Sequence, residues 1–72
     1  MTKIIRIEGM SCMHCVKRVK TALEQLQSVS SVDVNLELNH ATITCNNALS
    51  DELIKETIDD AGYDVASIEV LL

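Results

Sequence analysis

Seventy-two residues limit the chain to one domain with a thin core, because a chain of this size buries only about 60% of its unfolded surface. An apolar fraction of 47% argues against disorder, and with no Phe or Trp, and Tyr63 the one aromatic, the core has to be aliphatic. Six basic and eleven acidic residues give a net charge of -5, which argues against general binding to nucleic acid or anionic membrane, and no apolar run is long enough to span a bilayer.

In "KIIRIE" apolar and polar residues alternate, which predicts a strand with Ile5 and Ile7 on one face and Ile4, Arg6 and Glu8 on the other. Gly9 ends it. From Cys15 onward Val16, Val19, Leu23 and Leu26 recur at helical spacing, with Lys17, Arg18, Lys20 and Glu24 in the polar positions. This helix is expected to stop near Gln27, where the serines of "QSVSS" compete for backbone hydrogen bonds. "SVDVNLEL" alternates again and predicts a strand with Val32, Val34, Leu36 and Leu38 facing in. Asn39 and His40 form a short connection, and "ATITC" returns as the second arm of a hairpin, with Ala41, Ile43 and Cys45 on its inner face.

"NNALS" reads as a loop that ends on Ser50, a good N-cap, with Asp51 and Glu52 suiting the positive end of the helix that follows. Leu49 and Ile54 have the spacing of a hydrophobic staple; Leu53, Ile54, Ile58 and Ala61 form the apolar stripe, and Gly62 stops the helix. "DVASIEVLL" closes the chain as a strand. The order βαββαβ, with amphipathic helices, predicts an α+β ferredoxin-like sandwich. Its four-stranded antiparallel sheet would carry two helices on one face, as a single domain over residues 1–72.

Three cysteines fit a disulfide framework poorly, and no secretory signal opens the chain, so a reducing, cytoplasmic setting is expected. Cys12 falls in the loop after the first strand and Cys15 in the first turn of the helix, where unpaired N–H groups and the dipole favour thiolate. A thiolate pair selects soft metals, chiefly Cu(I) and Zn(II). A structural zinc site needs four protein ligands, and His14, His40 and Cys45 are the remaining candidates.

Cys45 lies five residues beyond His40 on the same strand, about 16 Å along it, with the opposite facing, and reads as a small buried hydrophobe. His40 reads as a solvated turn residue, and His14 as an outward-pointing neighbour of the thiols, at most a third or exchange ligand. A thioredoxin-type redox role is disfavoured because the chain has no proline and is too short for that fold. No nucleophile–base pair, paired carboxylates or phosphate loop can be assembled, so no enzyme activity is expected.

"GMSCMHC" before an amphipathic helix, with "AGYDV" near the end, resembles the heavy-metal-associated domain over essentially the whole chain, and within it the small bacterial copper chaperones. The resemblance implies a soluble Cu(I) carrier that holds its ion through Cys12 and Cys15. It places Met10 as an inward-packing brace of the loop, Ser11 beside the first thiol, where zinc and cadmium transporter domains often carry an acid, and Tyr63 as a ring over the metal loop. The implied acceptor is a copper-transporting P-type ATPase or its metal-binding domain, with a copper-sensing repressor as another. Lys17, Arg18 and Lys20 would steer an acidic partner, and two copies could share copper through four thiols. An excised N-terminal domain of a copper ATPase, or a mercury or zinc binder of the same fold, remains a rival reading; Met1 and the ending at Leu72 favour a free-standing protein.

Overall fold

The computed structural model describes residues 1–46 and 49–71. Its elements are β1 (Thr2–Glu8), α1 (Met13–Glu24), β2 (Val29–Asn35), β3 (His40–Cys45), α2 (Asp51–Asp60) and β4 (Asp64–Leu71). The strands form one antiparallel sheet in the order β2-β3-β1-β4, the ferredoxin-like arrangement expected from the sequence. Positions 47 and 48 of the predicted loop and Leu72 of the predicted last strand lie outside the described residues.

Alternation in β1 and β3 puts Ile5, Ile7, Ala41, Ile43 and Cys45 on the inner face, where Val19 and Leu23 of α1 and Ile54 and Ile58 of α2 cover them. Each fully buried side chain of this kind contributes about 1.5–3 kcal/mol, so a core this small leaves little to spare. Cys45 is one of these buried residues, as the sequence indicates.

Local signals set the helix ends. The Ser50 hydroxyl accepts from the Leu53 N–H at 3.1 Å, Asp51 and Glu52 fill the first turn of α2, and Leu49 and Ile54 are both buried as the staple requires. Gly62, at φ +97°, closes α2 in a Schellman motif: its N–H reaches the Asp59 carbonyl at 2.9 Å, and the Tyr63 N–H reaches the Ile58 carbonyl at 3.1 Å.

Several expectations are corrected. Helix α1 ends at Glu24, with Gln25 as its C-cap, rather than near Gln27. Strand β2 stops at Asn35; the run beyond it is a turn in which the Asn35 carboxamide oxygen accepts from the Leu38 N–H at 3.0 Å and Asn39 takes a positive φ of 56°. Leu38 is therefore 59% exposed rather than inward.

His40 is the first residue of β3 and half-buried, not a solvated turn residue, and its Nδ1 has no hydrogen-bond partner among the described residues. Leu53 is 41% exposed, because Ile54 and Ile58 alone define the buried line of α2. Lys3, unremarked in the sequence, is 5% exposed on the inner face. Its Nζ donates to Asp51 Oδ1 at 2.9 Å and to the Leu49 carbonyl at 3.2 Å, tying the start of α2 to β1.

At the other end of β1 three connections meet. The loop from Gly9 to Cys12 leads into α1. The turn before β3 is pinned by the Ile7 N–H donating to the Asn39 carbonyl at 2.8 Å. The turn after α2 brings Tyr63 beside Gly9.

Candidate metal centre

The thiols sit where a strand hands over to a helix. Cys12 is the N-cap of α1, with extended backbone (φ -159°, ψ 174°); its carbonyl accepts from the Cys15 and Val16 N–H groups at 3.1 and 3.3 Å. Its side chain makes no capping bond, so the sulfur is exposed and unspent. Cys15, three residues into α1, is half-buried. The i, i+3 spacing across a helix start brings the two Sγ atoms to 3.8 Å. With metal–thiolate bonds of about 2.3 Å, that separation subtends an angle of roughly 110° at a shared ion. The pair as it stands suits an ion that also has a third ligand; a linear site requires the sulfurs to part.

The surroundings favour thiolate. The Cys15 thiol is lowered from 9.0 to about 6, first by the Ser11 backbone N–H and then by the Tyr63 hydroxyl, with smaller help from Cys12, while partial desolvation opposes. The Ser11 hydroxyl also lies 4.0 Å from Cys15 Sγ. Tyr63 is raised in return, because it donates to Cys15 and is partly desolvated.

Met10 is 7% exposed and packs in the hydrophobic core, so it braces the loop from within. The sequence marks Gly9 only as a strand end. Its φ is +98°, and a Cβ there would lie 3.4 Å from Tyr63 Cδ1, so glycine permits both the turn and the seat of the ring. Met13, between the thiols, is 60% exposed; no spacing rule singled it out.

The structure thus brings together Ser11, Cys12, Cys15 and Tyr63, with Met10 beneath. His14 is exposed on the first turn of α1. Cys45 is buried beside the start of the chain, its N–H on the Met1 carbonyl at 2.8 Å, at the end of the sheet away from the thiols. Among the described residues no group of three or more His, Cys, Asp or Glu side chains is placed to hold an ion. Lys17, Arg18 and Lys20 are exposed on α1; Lys17 and Arg18 line a groove between the helices whose far side includes Asp60 and Ala61, and Lys20 lies outside it.

Fold and site together define a small ferredoxin-like domain with an exposed thiol pair at the start of its first helix. The chain belongs to the heavy-metal-associated domain family, which matches residues 4–64. It is 48% identical over 64 residues to the copper chaperone CopZ of Staphylococcus epidermidis, a match covering 88% of this chain and 94% of that protein. A solved CopZ metallochaperone superposes with a TM-score of 0.87 at 37% identity, covering 92% of this chain and 100% of that one. The crystal structure of a copper-binding domain from HMA7, a P-type ATPase, superposes with a TM-score of 0.83 at 34% identity, covering 100% and 96% respectively.

Proposed function

We propose that this chain is a copper metallochaperone: it takes up Cu(I) between Cys12 and Cys15 and passes it on by thiol exchange. The observation that carries the reading is the 3.8 Å thiol pair on an exposed helix start, with one sulfur already disposed to lose its proton. Soft thiolates select a soft ion. Two donors on an open rim leave room for an incoming thiol, so the ion moves through a three-coordinate intermediate and never enters bulk water. The similarity to CopZ proteins supports copper as the cargo.

The protein's part is to carry and deliver, without catalysis. The acceptor in this reading is a copper-transporting P-type ATPase or its metal-binding domain. The likeness to the HMA7 domain supports it, because a copper-binding domain of such an ATPase shares this chain's fold. A copper-sensing repressor is a second recipient, and two copies of the chain share copper through four thiols. Ser11 and Tyr63 tune Cys15, Met10 braces the loop, and His14 points outward beside the thiols, at most an exchange ligand. Lys17, Arg18 and Lys20 steer acidic partners. No helix among the described residues is long and apolar enough to cross a membrane; the proposed setting is the cytoplasm, where thiols stay reduced.

The test is anaerobic titration with Cu(I) against a competing chelator, for the parent and for Cys12→Ser with Cys15→Ser. The parent holds Cu(I) in preference to Zn(II) and the double variant loses it; equal retention by the variant removes the reading. Transfer to a thiol-bearing acceptor domain must outpace release to chelator alone.

A further inference from the structure

Charge distinguishes the ions that a thiol pair can hold. Two thiolates around a monovalent ion leave the site with one negative charge; the same two thiolates around a divalent ion leave it neutral. Soft ions of both kinds suit sulfur, so donor type alone does not choose between them. A fixed cation close to the sulfurs does choose, because it attracts the anionic complex and is indifferent to the neutral one.

Helix α1 places one such cation. Cys15 and Arg18 are three residues apart, about 4.5 Å along the axis and about 60° around it, which makes them neighbours on the helix surface. Ala22 continues the same row, and Arg18 and Ala22 both line the groove between the helices, so the groove runs up to the half-buried thiol. The other cations of α1 are placed differently. Lys17 lines the groove but stands about 160° round from Cys15, and Lys20 lies about 7.5 Å along and about 140° round, outside the groove.

Tyr63 marks how far the guanidinium reaches. The bond to Cys15 and partial desolvation raise the Tyr63 hydroxyl, and Arg18 works against that rise, so its charge is felt at the hydroxyl that touches the sulfur. Among the described residues the ion pairs are Lys3 with Asp51 and Arg6 with Glu69, and Arg18 is in neither. The one carboxylate among the residues lining its groove is Asp60. A guanidinium keeps its charge at any working pH, so its field is present whatever the state of the sulfurs.

We infer that Arg18 is a specificity-determining residue of the thiol site: its fixed positive charge beside Cys15 favours a monovalent ion over a divalent one, and Asp60 across the groove moderates that preference. The inference rests on the proposed holding of Cu(I) between Cys12 and Cys15, and it supplies a reason for such a pair to prefer Cu(I) to a soft divalent ion. One unit of charge at this range, partly screened by solvent, changes the ratio of the two affinities about three- to tenfold. Both ions displace the same protons from the sulfurs, so any effect of Arg18 on thiol ionisation cancels in that ratio.

The experiment measures the affinities for Cu(I) and for Hg(II), each anaerobically against a competing chelator. Their ratio is taken for the parent, Arg18→Gln, Arg18→Lys, Asp60→Asn and Lys20→Gln. Arg18→Gln lowers the Cu(I)-to-Hg(II) ratio about three- to tenfold, and Arg18→Lys, which keeps the charge, retains most of it. Asp60→Asn raises the ratio, and Lys20→Gln moves it less than Arg18→Gln does. Added salt narrows the gap between the parent and Arg18→Gln.

Damage to the fold lowers both affinities together and leaves the ratio where it was, so a purely structural role for Arg18 does not produce the expected result. A ratio unchanged in Arg18→Gln, or shifted as far by Lys20→Gln, overturns the inference while the carrier reading stands. A parent that does not retain Cu(I) removes the carrier reading and this inference with it.

Discussion

Replacing Tyr63 with Phe keeps the ring over Gly9 and removes only the hydroxyl that donates to Cys15. In the parent, lowering the Cys15 thiol from 9.0 to about 6 raises its thiolate-to-thiol ratio about a thousandfold. At pH 7 that leaves Cys15 about ten parts thiolate to one of thiol, so an incoming soft ion seldom has a proton to displace there. In the Phe variant the titration moves up. It stays below 9.0, because the Ser11 N–H, the larger influence, is untouched. The measurement is the rate of iodoacetamide alkylation against pH in a Cys12→Ser background, where Cys15 titrates without the neighbouring thiol and Cys45 is buried. An unchanged midpoint refutes the role given to the hydroxyl.

The sign carries through to stability. A thiol whose folded pKa is depressed contributes stabilisation fully present above the unfolded value of 9.0 and lost as pH falls through about 6. The metal-free protein therefore gains stability between those limits as pH rises, and the Phe variant gains less.

Asp51→Ala strips the carboxylate from a Lys3 ammonium that is 6% exposed. Breaking a buried pair from one side costs about 3–5 kcal/mol, reduced here to about 1–3 because Asp51 itself is 52% exposed. Lys3→Met leaves a solvated carboxylate and costs less, and urea unfolding of both single variants and the double orders them. Gly62→Ala meets no atom within 4 Å but forces an L-residue to φ +97°; it costs about 1 kcal/mol, seen as a melting point lower by roughly 4–8 °C. Asp59→Lys reverses a carboxylate at the negative end of α2, beside Glu56 and Asp64, and raises stability by about 0.3–1 kcal/mol in thermal denaturation at low salt.

Much of this architecture was readable because the signals were local. Ser50 caps, Gly62 stops, and the period of two in β1 and β3 is enforced by burial of one face. Leu38 misled because alternation continued past Asn35, where a side-chain hydrogen bond had already turned the backbone. Lys3 was invisible because a buried cation makes sense only beside Asp51, 48 residues away. In β4 the register shifts between Arg6 and Ile7, so Val65 and Ile68 both lie over the core although they are three apart, and no strict alternation marks them. At the site, the thiol pair announced itself by spacing. Gly9 as the seat of the Tyr63 ring is a contact between two loops, and neither loop encodes it alone.

The Schellman turn at Gly62 makes α2 a ruler. Ile54 and Ile58 fix the rotation of the helix against the sheet, and after Ile58 the chain has only three residues before Gly62 to deliver the ring of Tyr63 over the thiol loop. One residue inserted within that span turns everything beyond it by about 100° and advances it by about 1.5 Å. The phenol would then swing clear of Cys15 while the hydrophobic layer stayed intact. A change of length there would uncouple a sound scaffold from the sulfur it serves.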